Sequence, residues 1–352
     1  MSDQFTPVAH VGEFGLIYRM GQQLGLPTSP DLITGIGDDA AVYRVSDQMS
    51  HVVTTDALVE GVHFDRGFAP LSHLGRKAIA VNVSDVVAMN ARPRFATVAI
   101  GMPRNLSVEM VETLYAGMAA ACEEYGLEII GGDTTAAPQL TLSITVIGEA
   151  RTEDVIFRRG ANPGDLLCVS GDVGAAFAGL QVLLDQRREM KELGSQFEPN
   201  IEAWRYVIAR QLTPRARMDA QQALRSAGIR PRALIDVSDG VASEVHHLCA
   251  ASQCGAIVDA TALPVHPETR TAAAERMADL DTFALFGGED YELLFAIEPE
   301  HFDRLDQELF SVIGEFVPLE EGVSVRGEDG HAIPLNASGY DHFEPGGDGA
   351  AG

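Results

Sequence analysis

Residues 74–89 read LGRKAIAVNVSDVVAM, an apolar, small-residue stretch that also carries Asn82 and Asp85. A helix of this composition is expected to be buried on most of its sides. Asn82 and Asp85 are three residues apart and therefore share one helix face. An ionised Asp inside such a helix is unfavourable unless a cation or a basic side chain stabilises it. Both alternatives stay open, and the basic candidates nearby are Arg76, Lys77 and Arg92.

Strands and helices alternate outward from this stretch over the whole chain. β-branched and aromatic runs bounded by Gly, Pro or Asp predict strands at His51–Thr55, Phe95–Gly101, Leu140–Gly148, Asp165–Ser170, Ala233–Asp236 and Tyr291–Ile297. Helices are predicted at Leu74–Met89, Val108–Tyr125, Val173–Asp185, Pro214–Ala227 and Val241–Ala251. The alternation predicts a mixed α/β (α+β) architecture.

A Gly/Pro turn, GANPGD at residues 160–165, is the best candidate for a domain boundary. We therefore expect two domains, at about residues 1–150 and 151–345. The polar segment 185–200 is expected to be an exposed loop or a helix extension, and residues 346–352 a disordered tail.

The charge of the chain excludes several kinds of partner. With 25 basic and 51 acidic residues, the net charge is −26. Such a surface repels nucleic acid and anionic membranes, and we expect neither as a partner.

The N-terminal residues lack the pattern of a signal peptide, which predicts a cytoplasmic protein. The four cysteines form no CxxC pair and are expected to be reduced and mostly buried.

Six aspartates stand in short turns or beside small residues, several of them directly after apolar runs. They are Asp39, Asp56, Asp85, Asp133, Asp236 and Asp239. Clustered carboxylates need a cation to offset their repulsion and desolvation, and ligands that are all oxygen favour Mg²⁺. Each motif also has an ordinary structural explanation, such as a turn at GIGDDA (35–40) or a helix cap at Ser238 or Asp239. His63 has the alternative of a plain surface residue.

Familiar nucleotide signatures are absent from the sequence. It contains neither the P-loop pattern nor a dinucleotide-binding G-x-G-x-x-G after a strand, and the eukaryotic-type kinase motifs are missing as well. Any use of a nucleotide must therefore depend on metal ions, arginine and backbone N–H groups.

Taken in order, the motifs resemble those of the thiamine-monophosphate kinase family. The matching stretches are GEFGLI (12–17), GIGDDA (35–40), TTDALVEGVHF (54–64), KAIAVNVSDVVAMNARP (77–93), IIGGDTT (129–135), RRGANPGD (158–165), DVSDG (236–240), GGEDYELLF (287–295) and GYDHF (339–343). They span nearly the entire chain, and independent turns would not reproduce this series.

The resemblance implies ATP-dependent phosphorylation of thiamine monophosphate to thiamine diphosphate with several Mg²⁺ ions. It also implies the two-domain fold of the aminoimidazole ribonucleotide synthetase superfamily, with the N-terminal domains forming a homodimer and the substrates lying between the domains. By motif, the implied Mg²⁺ ligands are Asp39, Thr54, Thr55, Asp56, Asp85, Asp133, Asp236 and Asp239. The implied ATP contacts are Tyr115, Gly132, Asp133, Arg158 and Ser238. The implied contacts to thiamine monophosphate are His63, Glu289 and Tyr340.

These residue types suit direct in-line phosphoryl transfer, because the accepting phosphate oxygen is already ionised and needs no general base. No covalent phospho-enzyme is expected, and no residue is assigned as catalytic. The alternatives are another reaction of the same superfamily, a metal-dependent phosphohydrolase and a cation-binding module without activity. Selenophosphate synthesis is disfavoured because no Cys precedes Cys122.

Overall fold

The computed structural model describes residues 6–25 and 27–336. Within these residues the helices are α1 (Gly12–Leu24), α2 (Leu71–Ala88), α3 (Val108–Tyr125), α4 (Ala175–Leu193), α5 (Arg205–Leu212), α6 (Met218–Ser226), α7 (Val241–Ser252), α8 (Pro267–Glu275) and α9 (Leu280–Phe286). Tyr340, the motif GYDHF and the predicted tail 346–352 lie outside the described residues.

Thirteen strands form two sheets in the described part of the chain. Those of the N-terminal half are β1 (Leu32–Thr34), β2 (Ala41–Arg44), β3 (Met49–Val59), β4 (Arg92–Met102), β5 (Glu128–Ala136) and β6 (Thr141–Arg151). Those of the C-terminal half are β7 (Leu166–Ser170), β8 (Ala233–Asp236), β9 (Gly255–Asp259), β10 (Leu293–Ile297), β11 (Phe310–Val317), β12 (Val323–Arg326) and β13 (Ala332–Pro334).

The first sheet has the strand order β1-β2-β3-β6-β4-β5, and the second has the order β13-β12-β9-β11-β7-β10-β8. Each sheet is mostly antiparallel and contains one parallel pair, β4 with β5 in the first and β9 with β12 in the second. The chain changes from one sheet to the other between Arg151 and Leu166, an interval that includes the Gly/Pro turn at 160–165. The predicted α/β class is confirmed.

Helix α2 packs against both sheets. It lies on β3 and β6 of the first sheet and also contacts β8 of the second. Its valines Val83, Val86 and Val87 are fully buried in one continuous hydrophobic cluster that also contains Leu234 and Phe295 of the second sheet. The apolar composition of 74–89 is therefore explained, because the helix has a sheet on more than one of its sides.

Helices α2 and α3 cross at two glycines. A Cβ added at Gly75 would lie 2.1 Å from the carbonyl oxygen of Leu114, and one added at Gly117 would lie 2.0 Å from that of Ser72. The two backbones approach so closely that no side chain fits between them. This crossing fixes the position of α2 relative to α3.

Element boundaries follow local signals where these are strong. Helix α3 has the predicted bounds because Ser107 caps its first turn, accepting from the N–H of Met110, and Gly126 ends it at φ +70°. The polar segment after Asp185 continues α4 to Leu193, so it begins as a helix extension. Helix α6 begins at Met218 rather than Pro214, and β10 begins at Leu293 rather than Tyr291.

Candidate active site

Four of the six predicted aspartates lie close together beside α2, where the two sheets meet. Asp56 is on β3, Asp85 is on α2, Asp236 ends β8, and Asp39 lies in the turn before β2. We call Asp39, Asp56, Asp85 and Asp236 the aspartate cluster. Burial raises the pKa of Asp85 well above its ordinary value, and the charges of the other three members raise it further. Such mutual repulsion requires that the carboxylates be near one another.

Asn82 and Asp85 join α2 to β3 on the buried face of the sheet. The hydroxyl of Thr54 donates to Oδ2 of Asp85 at 2.5 Å, and the backbone N–H of Asp56 donates to Oδ1 of Asn82 at 3.0 Å. Asn82 and Asp85, which share one face of the helix, therefore both bond to β3.

Asp236 is held from the same helix. The hydroxyl of Ser84 donates to Oδ2 of Asp236 at 2.5 Å, which links α2 to the end of β8 in the second sheet. Burial, followed by the charge of Asp39, raises the pKa of Asp236 to about 8. Burial also raises the pKa of Asp56. In the metal-free protein the ionised forms of these groups are therefore disfavoured.

Arg158 is the basic residue of the site. Its Nε and Nη2 donate to Oδ1 of Asp39 at 3.0 and 2.6 Å. Burial alone would lower the pKa of this guanidinium, but the Asp39 carboxylate beside it holds the value above the ordinary one. The other carboxylate oxygen of Asp39, Oδ2, is buried and has no hydrogen-bond partner. An acceptor left in this state is a suitable ligand for a hard cation.

The structural alternative for Asp85 is not observed. Arg76 pairs with Glu124, and Nζ of Lys77 pairs with Oε1 of Glu289 at 2.7 Å. Among the described residues, no ion pair within 4.0 Å reaches Asp56, Asp85 or Asp236. These buried carboxylates therefore lack the basic partners that a purely structural explanation needs.

The residues present fit Mg²⁺, although the cluster is not a closed cage. In the described part of the chain, the three potential ligand atoms that lie within 4.8 Å of one another belong to Glu298, Glu300 and His301, away from the cluster. Mg²⁺ usually takes one or two carboxylates and completes its shell with water and substrate phosphates. Spaced carboxylates match that requirement, as does the unpartnered oxygen of Asp39. The surface group is a poorer candidate, because Arg232 already pairs with Glu298.

Two predicted residues lie on the other face of the first sheet. The register places Asp56 level with Ile144, Val98 and then Gly132 across the sheet, so β5 is three strands from β3, or about 14 Å. Asp133 is next to Gly132 and exposed on this edge strand. Thr55 also faces away from the cluster, and its hydroxyl accepts from that of Thr145 at 3.1 Å. The contacts among the described residues do not bring Asp133 or Thr55 to the cluster.

Gly132 lies on the same edge strand, and its lack of a side chain has a structural reason. A Cβ at this position would lie 1.9 Å from the carbonyl oxygen of Val98. Tyr115, the other predicted ATP contact of this domain, is half-buried in α3 against the hydrophobic cluster. The described contacts of Tyr115 join it to none of the aspartates.

The loop before α7 supplies Ser238 and Asp239. The backbone N–H of Asp239 donates to Oε1 of Glu244 at 2.9 Å, and the hydroxyl of Ser238 donates to the same oxygen at 3.3 Å. Ser238 and Asp239 therefore border the cluster next to Asp236. Glu244 is a buried carboxylate that the motifs do not single out, although its position in the first turn of an apolar helix is a signal for it.

Glu289 and His63 have defined partners. Glu289 receives the ion pair from Lys77, and Nε2 of Gln211 donates to its Oε2 at 2.8 Å. Nδ1 of His63 accepts from the backbone N–H of Val59 at 3.0 Å, which places this ring in the turn after β3. Asp38 was not singled out as a ligand, yet burial and the neighbouring Asp39 raise its pKa to about 6.

A crevice of about 390 Å³ lies elsewhere, where α3 faces α5 and the segment that follows it. Its lining includes Arg76, Tyr125, Arg210 and Arg215 and none of the predicted site residues. Arg76 and Arg215 both pair with Glu124.

Comparison with known proteins identifies the family. Residues 37–150 match the family model described as AIR synthase related protein, N-terminal domain. The thiamine-monophosphate kinase of Bacillus subtilis is 32% identical over 340 residues, covering 94% of this chain and 99% of that protein. That of Salmonella typhimurium is 35% identical over 342 residues, covering 94% and 98%. This chain belongs to the thiamine-monophosphate kinase family.

Solved structures agree with this membership. A structure described as "AaThiL complexed with AMPPCP and TMP" superposes with a TM-score of 0.82 at 34% identity, covering 97% of this chain and all of that one. The predicted family, superfamily fold and kinase class are confirmed. Among the described residues, no helix is long and apolar enough to cross a membrane.

Proposed function

We propose that this enzyme transfers the γ-phosphoryl group of ATP to thiamine monophosphate, giving thiamine diphosphate and ADP. The observation that carries the proposal is the convergence of Asp39, Asp56, Asp85 and Asp236 from both halves of the chain, with Arg158 paired to Asp39. The related structure that contains AMPPCP and TMP supports it.

Several Mg²⁺ ions would be held by the aspartate cluster, with Thr54 and Asp239 beside it. Bound there, they would neutralise the phosphates and stabilise the charge of the in-line transition state. The chain's own residues position the reactants. Arg158, oriented by Asp39, is proposed to contact ATP together with Ser238. Glu289 and His63 are proposed to contact thiamine monophosphate, and Tyr340 keeps the same predicted role.

Gly132, Asp133, Thr55 and Tyr115 stay proposed contacts to nucleotide or metal. Asp133 and Thr55 would act from the face of the first sheet that is opposite to the cluster. Asp133 and Thr55 could therefore fill these roles only if the nucleotide or a second subunit binds at that face.

A homodimer formed through the first sheet is proposed on separate grounds. Its edge strand β5 is exposed almost throughout, and the large apolar side chains of Ile130 and Phe95 are 57% and 37% exposed. A long exposed edge strand with apolar neighbours is normally covered by a partner. The cytoplasm remains the proposed location, since all four cysteines are free and buried.

One assay tests the proposed kinase activity and distinguishes it from the alternative functions. Purified enzyme with ATP and Mg²⁺ should produce ADP in step with added thiamine monophosphate, one ADP for each thiamine diphosphate. Phosphate release without thiamine monophosphate would indicate a phosphohydrolase instead. An absence of ADP, together with retained Mg²⁺ binding, would indicate a binding module.

A further inference from the structure

The residue that follows the Glu289–Asp290 pair, Tyr291, has an unusual backbone. Its φ is +53°, and that of Glu289 is +66°, although neither residue is glycine. The N–H of Tyr291 donates to the carbonyl oxygen of Val237 at 2.8 Å, and that of Glu289 donates to Ser238 at 2.7 Å. This segment is therefore held against the DVSDG loop in a left-handed conformation, a costly arrangement that often marks a functional site.

The conformation sends alternate side chains in opposite directions. Glu292 pairs with Nη1 of Arg210 at 2.9 Å, and Asp290 accepts from the N–H of Gly174 at 2.6 Å, both inside the second domain. Glu289 instead reaches Lys77 on α2. Tyr291 faces this second side, where the nearby charges are those of Glu289, Asp56, Asp236 and Asp85.

The hydroxyl of Tyr291 forms no hydrogen bond with another described residue. The residue is only 8% exposed, its hydroxyl is not among the fully buried polar atoms that lack a partner, and no hydrogen bond among the described residues involves it. A tyrosine hydroxyl that reaches the edge of a buried side chain in this way can bond to water or to a ligand. The partner would lie between Glu289 on one side and the aspartate cluster on the other.

We propose that the Tyr291 hydroxyl donates a hydrogen bond to the phosphate of bound thiamine monophosphate. The proposal rests on the proposed function, in which Glu289 contacts this substrate and the cluster holds the metal-bound phosphates of ATP. The accepting phosphate must lie between these two groups, and Tyr291 lies there. Tyr291 would add a hydrogen-bond donor for that phosphate to the contacts proposed for Glu289 and His63.

The phenol acts as a donor and not as a base. Burial and the carboxylates around it raise the pKa of Tyr291 well above its ordinary value, so the hydroxyl keeps its proton. In the transfer, a phosphate oxygen of thiamine monophosphate forms a bond to the γ-phosphorus of ATP. The bond from that phosphorus to the β,γ-bridging oxygen breaks, and ADP leaves with the electron pair. Tyr291 exchanges no proton in this step.

Calorimetric titrations of wild type and Tyr291→Phe, with Mg²⁺ present and nucleotide absent, test the proposal. Thiamine monophosphate should bind about tenfold or more weakly to the variant, because a hydrogen bond to a charged group is lost. Unphosphorylated thiamine should bind both proteins equally, and Mg²⁺ affinity should not change. Equal weakening of thiamine and thiamine monophosphate, or an unchanged affinity for thiamine monophosphate, would overturn the proposal.

Tyr125→Phe is the matched control. Tyr125 is also buried, at 6% exposure, but its hydroxyl accepts from the N–H of Ala216 at 3.1 Å. This variant should lose thermal stability and keep the affinity for thiamine monophosphate. In turnover assays, Tyr291→Phe should raise the KM for thiamine monophosphate and leave that for ATP unchanged. If wild type binds thiamine monophosphate but makes no ADP, the proposed function fails while the hydrogen bond can still be measured.

Discussion

Asp56 and Asp133 are both metal ligands by motif, but they lie on opposite faces and about three strands apart in the first sheet. Asp56→Asn removes a charge from the cluster, and kcat should fall at least about a hundredfold. Asp133→Asn is expected to lose turnover as well, because the family motif assigns it to metal and nucleotide. Steady-state ADP production measures both effects.

The two variants should differ in their effect on Mg²⁺ binding to the free enzyme. Asp56→Asn should weaken it, whereas Asp133→Asn should leave ions at the cluster unaffected. Asp154→Asn, a substitution of an exposed residue outside the site, serves as the control. Wild-type turnover in Asp56→Asn would remove the metal role from the cluster.

Metal binding and proton binding should compete at these aspartates. The pKa of Asp236 is raised to about 8 and that of Asp38 to about 6, so the folded, metal-free protein binds more protons than the unfolded chain above pH 4 or so. The additional bound protons stabilise the folded, metal-free protein at low pH. This contribution to the free energy of unfolding is lost as the pH rises toward 8. Mg²⁺ favours the ionised carboxylates, and it should release protons and raise the Tm most at the upper end of this range.

Thermal unfolding with EDTA and with Mg²⁺, from about pH 5 to about pH 8, checks this expectation. Proton release can be measured by titrating Mg²⁺ in buffers that differ in ionisation enthalpy. A Tm that depends on pH in the same way with and without Mg²⁺ would contradict the coupling.

At the scale of elements, a side chain added at the glycines where α2 crosses α3 should destabilise the fold. In Gly75→Ala the new Cβ would meet the Leu114 carbonyl oxygen at 2.1 Å and the Met118 nitrogen at 2.8 Å. We expect a loss of about 1–3 kcal/mol or more in the free energy of unfolding, because backbone atoms cannot move aside easily. Urea denaturation measures it.

Gly21→Ala in α1 provides the comparison. A Cβ there would meet nothing within 4 Å, so the substitution should stabilise α1 by up to about 1 kcal/mol. Equal effects at the two glycines would show that helix propensity, and not the close crossing, decides the result.

Elements with strong local signals could be predicted from the sequence, and those that depend on distant residues could not. Both ends of α3 were found because Ser107 and Gly126 mark them. Strand β10 starts two residues later than its apolar pattern suggests, because Val237 and Ser238 hold Glu289 and Tyr291 in the left-handed region.

The same limit applies to the site. The family motifs identified the aspartates. Which face of the first sheet Asp133 lies on, however, depends on the register of four strands. Glu244 and Tyr291 were missed because their roles arise from contacts with segments that only the fold brings near. Local sequence patterns contain no signal for those contacts.

At the scale of the molecule, the proposed dimer should depend on the exposed edge of the first sheet. Ile130→Lys places a charge on β5 among apolar side chains, and it should shift the protein from dimer to monomer in light scattering coupled to gel filtration. Leu319→Lys changes a residue of similar exposure, 55% against 57%, in the second domain. It should leave the mass unchanged. A monomeric wild type, or a dimer that persists in Ile130→Lys, would argue against this interface.

Helix α2 belongs to the N-terminal half by sequence, yet its hydrophobic cluster also includes residues of β8 and β10 in the C-terminal half. If the chain were divided at residues 160–165, the valines of α2 would be exposed to water in the N-terminal fragment. Leu234 of β8 and Phe295 of β10 would lose their contacts with that cluster in the C-terminal fragment. Neither fragment is expected to fold alone, and the intact chain should melt in a single cooperative transition. The two halves of this kinase are separate as sheets, and we expect them to unfold together.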